Sequence, residues 1–177
     1  MKKLTALLLT LCLLFSVALA EETTEYVAGS YFAITYPTAM TLDDTTYDDE
    51  TSDGYEWLFI LYDQTHVIDA CMETVADYAG FSLYSATDDE KQAYIDEALD
   101  SFADENCEYV DNFATTANQI PFFIFKMESE DGPYYYIETI ANGASISFSV
   151  YYFDDGALDD ELLTFAVQVL STFKPAA

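Results

Sequence analysis

The stretch DDTTYDDETSDG, residues 43–54, carries six carboxylates in twelve positions and ends in Asp-Gly. Clustered carboxylates suit a hard cation such as calcium, which accepts oxygen ligands in flexible geometry. An EF-hand loop would need oxygens at its first, third and fifth positions, glycine at the sixth and a bidentate Glu at the twelfth. With Gly54 at the sixth position, Asp49, Thr51 and Asp53 fill the first, third and fifth, but the twelfth is Ile60, inside an apolar run. The ligand that completes such a site is missing. We read the stretch as a solvated connection, with a looser calcium site at Asp48, Asp49, Glu50 and Asp53 as the alternative.

Other chemistry finds less support. His66 is the single histidine, and Cys71 five residues on gives no paired spacing for zinc. A Ser-His-Asp hydrolase would have to use His66, and no G-x-S-x-G turn presents a serine. A Cys-His nucleophile would need Cys71 or Cys107 activated by that one imidazole, which nothing local provides. Glycoside hydrolysis needs two carboxylates across a cleft, but a chain with 33 acids meets that condition by chance. No glycine-rich phosphate cradle is present. No catalytic residue is therefore assigned, and the expectation is a protein that binds rather than turns over.

Tyrosines supply the remaining signal. Tyr134, Tyr135 and Tyr136 are consecutive, and Tyr151 and Tyr152 follow in the same region. In a strand, neighbours point to opposite faces, so some of these rings leave the main core. Tyr134, Tyr135, Tyr136 and Tyr151 form a candidate binding surface for a protein or a small ligand, sugars included, because tyrosine joins a large apolar face to a polar tip. The alternative is that helices cover both faces and the rings are core.

These side chains must be positioned by a fold, and the chain's ends and composition bound it. Residues 1–20, MKKLTALLLTLCLLFSVALA, combine Lys2 and Lys3, an apolar run and Ala18-Leu19-Ala20, the pattern of a secretory signal peptide cleaved after Ala20. Leu11 before Cys12 does not suit a lipobox, so ordinary secretion is expected. Losing Lys2 and Lys3 leaves three lysines against 33 acids over residues 21–177, so the charge moves from −28 to −30. Half the residues are hydrophobic, which fits a single folded domain with an anionic skin. That skin repels nucleic acid and anionic membrane surfaces, whose recognition depends on Lys and Arg. Secretion also permits a disulfide between Cys71 and Cys107, which would contribute on the order of 3–4 kcal/mol; two small buried thiols are the alternative.

Periodicity predicts strands at YFAITYP (31–37), YEWLFILYD (55–63), residues 66–75 and 107–113, then a three-strand meander over 120–153. Asn142-Gly143 marks one of its turns, because a type I′ turn needs positive φ at both central residues. Ile146, Phe148, Val150 and Tyr152 should face a core, with Ser145, Ser147 and Ser149 on a face that does not. A first helix should start at the Thr87/Glu90 capping box, carry Tyr94, Ile95, Ala98, Leu99 and Phe102 on one stripe, and end near Asp104. A second should bury Leu158, Leu162, Leu163, Ala166, Val169, Leu170 and Phe173, with Asp159, Asp160 and Glu161 in its first turn and Lys174-Pro175 at its end. The fold class is α+β, a mainly antiparallel sheet with amphipathic helices.

The opening YFAITYP, the central helix leading into a meander and the final helix ending LSTFKP resemble, in that order, the PsbP-like superfamily, with its Mog-type and DcrB-like members. The resemblance spans most of residues 21–177 and implies an antiparallel sheet between helices, an α/β/α sandwich. It also implies a secreted bacterial member, non-catalytic, acting as a binding or accessory module. The superfamily shares no catalytic motif, so no functional residue is carried over.

Overall fold

Alternating apolar residues broken by glycine turns build the centre of the molecule. The computed structural model describes residues 22–28, 31–44, 55–74, 79–103, 106–141, 143–154 and 156–175. The strands are β1 (Thr23–Ala28), β2 (Phe32–Pro37), β3 (Thr41–Asp43), β4 (Tyr55–Tyr62), β5 (His66–Thr74), β6 (Glu108–Ala114), β7 (Pro121–Ser129), β8 (Gly132–Ala141), β9 (Ala144–Tyr152) and β10 (Lys174–Pro175). The helices are α1 (Asp88–Ser101) and α2 (Asp160–Leu170). Among the described residues, seven strands form one antiparallel sheet in the order β3-β4-β5-β9-β8-β7-β6, and β1-β2-β10 form a second. This is a mixed, mainly antiparallel α+β fold, as expected.

The meander follows its turn residues. Gly132, at φ +121°, opens β8 after the Ser129–Asp131 corner, and Gly143, at φ +83°, lies in the two-residue gap between Ala141 and its partner Ala144. Asn142 lies outside the described residues. On β9, Ile146, Phe148 and Val150 enter the larger core together with Phe122, Ile137 and Leu162. That core lies between the seven-stranded sheet on one side and α2 with the small sheet on the other. Phe32 and Phe173 are fully buried there, ring to ring at 4.8 Å.

The opposite face is not bare, which corrects the expectation for the serine side of β9. Helix α1 lays Tyr94, Ile95 and Ala98 over Phe123, Phe125, Met127 and Ile140 as a second core, so Ser145 and Ser147 are buried. Its N-terminus is the expected capping box: the Glu90 amide donates to Thr87 Oγ1 at 3.3 Å and the Thr87 amide to Glu90 Oε2 at 2.7 Å. The helix stops at Ser101, with Phe102 as its cap, while Asp104 lies outside the described residues.

Two further differences concern the end of the chain. Asp159 is the N-cap of α2 rather than part of its first turn, and its Oδ1 accepts from the amides of Glu161 and Leu162 at 3.1 and 3.0 Å. Lys174-Pro175 does not merely stop the helix but pairs with Ala33 and Phe32 of β2 as an edge strand. Thr172 supports this return, since its Oγ1 accepts from the Thr35 amide at 2.8 Å. YFAITYP therefore belongs to the small sheet, one layer away from the meander.

Candidate functional site

Pleat alternation and register gather one set of side chains. Trp57 on β4 is opposite Cys71 on β5, which is opposite Ser147 on β9. Asp69 is opposite Ser149, which is opposite Tyr136 on β8, while Val67 is opposite Tyr151. Directly paired residues share a face, so Trp57, Asp69, Ser149, Tyr151, Tyr136 and Tyr134 all point to the side that carries α1. The helix covers only part of that side: Tyr94 packs on Phe123 at 5.5 Å and Phe102 on Tyr136 at 5.4 Å. Beyond its reach a groove of about 510 Å³ opens, lined by Trp57, Asp69, Asp131, Tyr134, Ser149 and Tyr151 among others.

Asp69 is the chemical centre of the groove. Tyr151 Oη donates to its Oδ2 at 2.9 Å. Oδ1 is buried and has no hydrogen-bond partner among the described residues. Burial pushes the Asp69 carboxyl above its ordinary range, and the Tyr151 hydrogen bond only partly opposes this. The Tyr151 hydroxyl is driven up in turn, first by burial and then by the charge of Asp69.

A second carboxylate is buried under α1. Glu138 is 7 % exposed and accepts hydrogen bonds from the hydroxyls of Tyr94 and Ser145. Burial raises its pKa against the pull of those two donors, and nearby Glu73 raises it further. With Glu73 and Glu97 it lines a smaller cavity of about 270 Å³. Among the described residues, no three His, Cys, Asp or Glu side chains gather as metal ligands.

The residues singled out from sequence are distributed as follows. Tyr134 and Tyr151 meet in the groove, whereas Tyr136 is under α1 against Phe102. Tyr135 turns to the opposite face, where it is buried in the larger core and its hydroxyl donates to the Asp159 carbonyl at 3.3 Å. It is thus no part of the groove, because strand alternation sends it away from its neighbours. Asp48, Asp49, Glu50 and Asp53 lie outside the described residues.

Cys71 is on β5 and Cys107 just before β6, four strand spacings away across the sheet. At about 4.8 Å per strand that is roughly 19 Å, far beyond the roughly 7 Å Cα separation a disulfide allows. The bridge that the sequence left open, against two reduced thiols, does not form between them. His66 lines none of these cavities; its ring stacks on Phe165 at 4.2 Å and pairs with Asp63 at 3.2 Å. Burial works against the Asp63 charge, but the amides of His66 and Thr65 and the imidazole outweigh it and hold that carboxyl low.

Sequence reasoning passed over Trp57, Asp69 and Glu138. The available signal was an acid between apolar neighbours within a strand, Asp69 in HVIDACMET and Glu138 in GPYYYIETIA. Such an acid must either be solvated at an opening or carry dedicated hydrogen bonds.

No family model matches the chain, and no curated protein matches it either. Among solved structures, the chain is similar to the solution structure of cyanobacterial PsbP (CyanoP) from Synechocystis sp. PCC 6803, at 12 % identity, with 88 % of this chain and 93 % of that one covered and a TM-score of 0.49.

Proposed function

We propose that this chain is a secreted, non-enzymatic binding module of the PsbP-like type, and that it holds its ligand in the groove between Trp57, Tyr134 and Tyr151. The observation that carries the reading is the groove itself: three aromatic rings around a carboxylate on the half of the sheet that α1 leaves uncovered. Its size and its few convergent polar groups are those of a small-molecule site. Against an enzyme stands the position of the nucleophile candidates. The imidazole is engaged by Phe165 and Asp63 outside the groove, and Cys107 packs beside the second core. Secretion rests on residues 1–20, and the PsbP-like type on the order of the sequence marks.

A ligand bound to the native state raises the melting temperature by mass action. A panel of small metabolites, saccharides and peptides should therefore yield hits on the purified protein that vanish in Tyr134→Ala/Tyr151→Ala. Hits indifferent to that double substitution would place binding elsewhere, and turnover of any panel member would refute the non-enzymatic reading. Protein exported from its cell should begin at Glu21.

A further inference from the structure

We infer that the groove selects a small organic cation, an alkylammonium head seated against Trp57, Tyr134 and Tyr151 and facing the carboxylates of Asp69 and Asp131. The inference rests on the groove being the ligand site and adds the chemical class of the ligand. Aromatic faces carry the negative end of a quadrupole and attract cations, most strongly where water is displaced.

Among the described residues the groove is also poor in compensating charge. Lys91 pairs with Asp88 at 3.8 Å, Lys174 with Glu25 at 3.3 Å and His66 with Asp63 at 3.2 Å. Lys126 lies opposite Tyr135, on the other face of the sheet. The chain contains no arginine. Asp69 is thus a desolvated carboxylate whose Oδ1 has no donor among the described residues, with Asp131 adding negative potential beside Tyr151. A positive guest offsets that potential through space, whichever carboxylate oxygen it approaches.

Competing guests fit less well. A neutral sugar could stack on the rings but would leave the Asp69 charge uncompensated. A bare divalent ion needs a shell of oxygens, and among the described residues no three His, Cys, Asp or Glu side chains gather to supply one. An alkylammonium is large and weakly hydrated, so it matches both the rings and the charge. The overall charge of −28 further concentrates cations at the surface.

Trp57 is the only tryptophan in the chain, so intrinsic fluorescence reads the groove directly. The purified protein is titrated with choline, with its neutral isostere in which tert-butyl replaces trimethylammonium, and with glucose, at constant ionic strength held with sodium chloride. The expected result is a saturable change with choline at least about tenfold tighter than with the isostere. Asp69→Asn and, separately, the surface variant Asp131→Asn should each weaken choline and leave the isostere unchanged. Equal binding of choline and isostere, or a response to glucose without one to choline, overturns the cation assignment while leaving the groove as a binding site. No Trp57 response to any of the three also overturns it. The groove reading itself fails if ligands found by thermal shift ignore the Tyr134/Tyr151 substitutions, an outcome separate from these three titrations.

Discussion

Tyr151 donates a hydrogen bond to Asp69 at 2.9 Å, linking side chains 82 positions apart on adjacent strands of one sheet. Each group shifts the other: the carboxylate makes the phenol harder to ionise, and the phenol is the donor that partly offsets the burial of the carboxylate. Removing the hydroxyl with Tyr151→Phe leaves the ring and strips Asp69 of that donor. We expect a loss of about 1–3 kcal/mol at neutral pH, the cost of an unsatisfied buried acceptor. Urea unfolding should show it, with the loss shrinking toward pH 3, where the carboxyl is neutral.

Glu138 gives a pH dependence of definite sign. Its folded-state pKa lies above the unfolded value, so between those two values the native state holds more protons and stability falls as pH rises. The penalty is absent below the ordinary Glu range and complete above the raised folded value. Glu138→Gln keeps an acceptor for Tyr94 or Ser145 without the charge. It should melt higher than wild type at neutral pH, with the difference closed by the time pH has fallen to about 4. A constant difference across that range would contradict the burial argument.

The larger core should respond differently from the helix cap. Phe173→Ala empties a fully buried site that Phe32 and Phe122 contact at 4.8 and 5.2 Å, and large-to-small changes of this kind cost about 3–5 kcal/mol. Thr87→Ala removes one side of the capping box and should cost only about 1 kcal/mol. Chemical denaturation of both variants checks the ranking.

Separation of Cys71 from Cys107 has a simple chemical consequence. Under denaturing conditions without reductant, residues 21–177 should present two titratable thiols, and reductant should leave the melting temperature unchanged. A single molecule lacking both thiols would contradict the strand order β5-β9-β8-β7-β6 that keeps them apart.

Local signals were readable where they act within a few residues. Thr87 and Glu90 announce α1, and Ile146, Phe148 and Val150 announce the buried face of β9, because capping and pleat alternation are short-range rules. The groove is different. Trp57, Asp69, Tyr134 and Tyr151 come from four strands, and only their register brings them together. Whether Tyr134 is open and Tyr136 covered depends on how far α1 extends over the sheet. Lys174-Pro175 looked like a helix stop because nothing nearby shows that β2, some 140 positions earlier, offers its edge.

The central claim is that the uncovered half of the α1 face is where this protein meets its ligand. Mapping amide chemical shifts during a choline titration tests it most directly. The account predicts that perturbations cluster at Trp57, Asp69, Asp131, Ser149 and Tyr151, with Tyr135 and the larger core silent. Shifts centred on another surface would contradict it, whereas none at saturating choline would contradict the cation assignment alone.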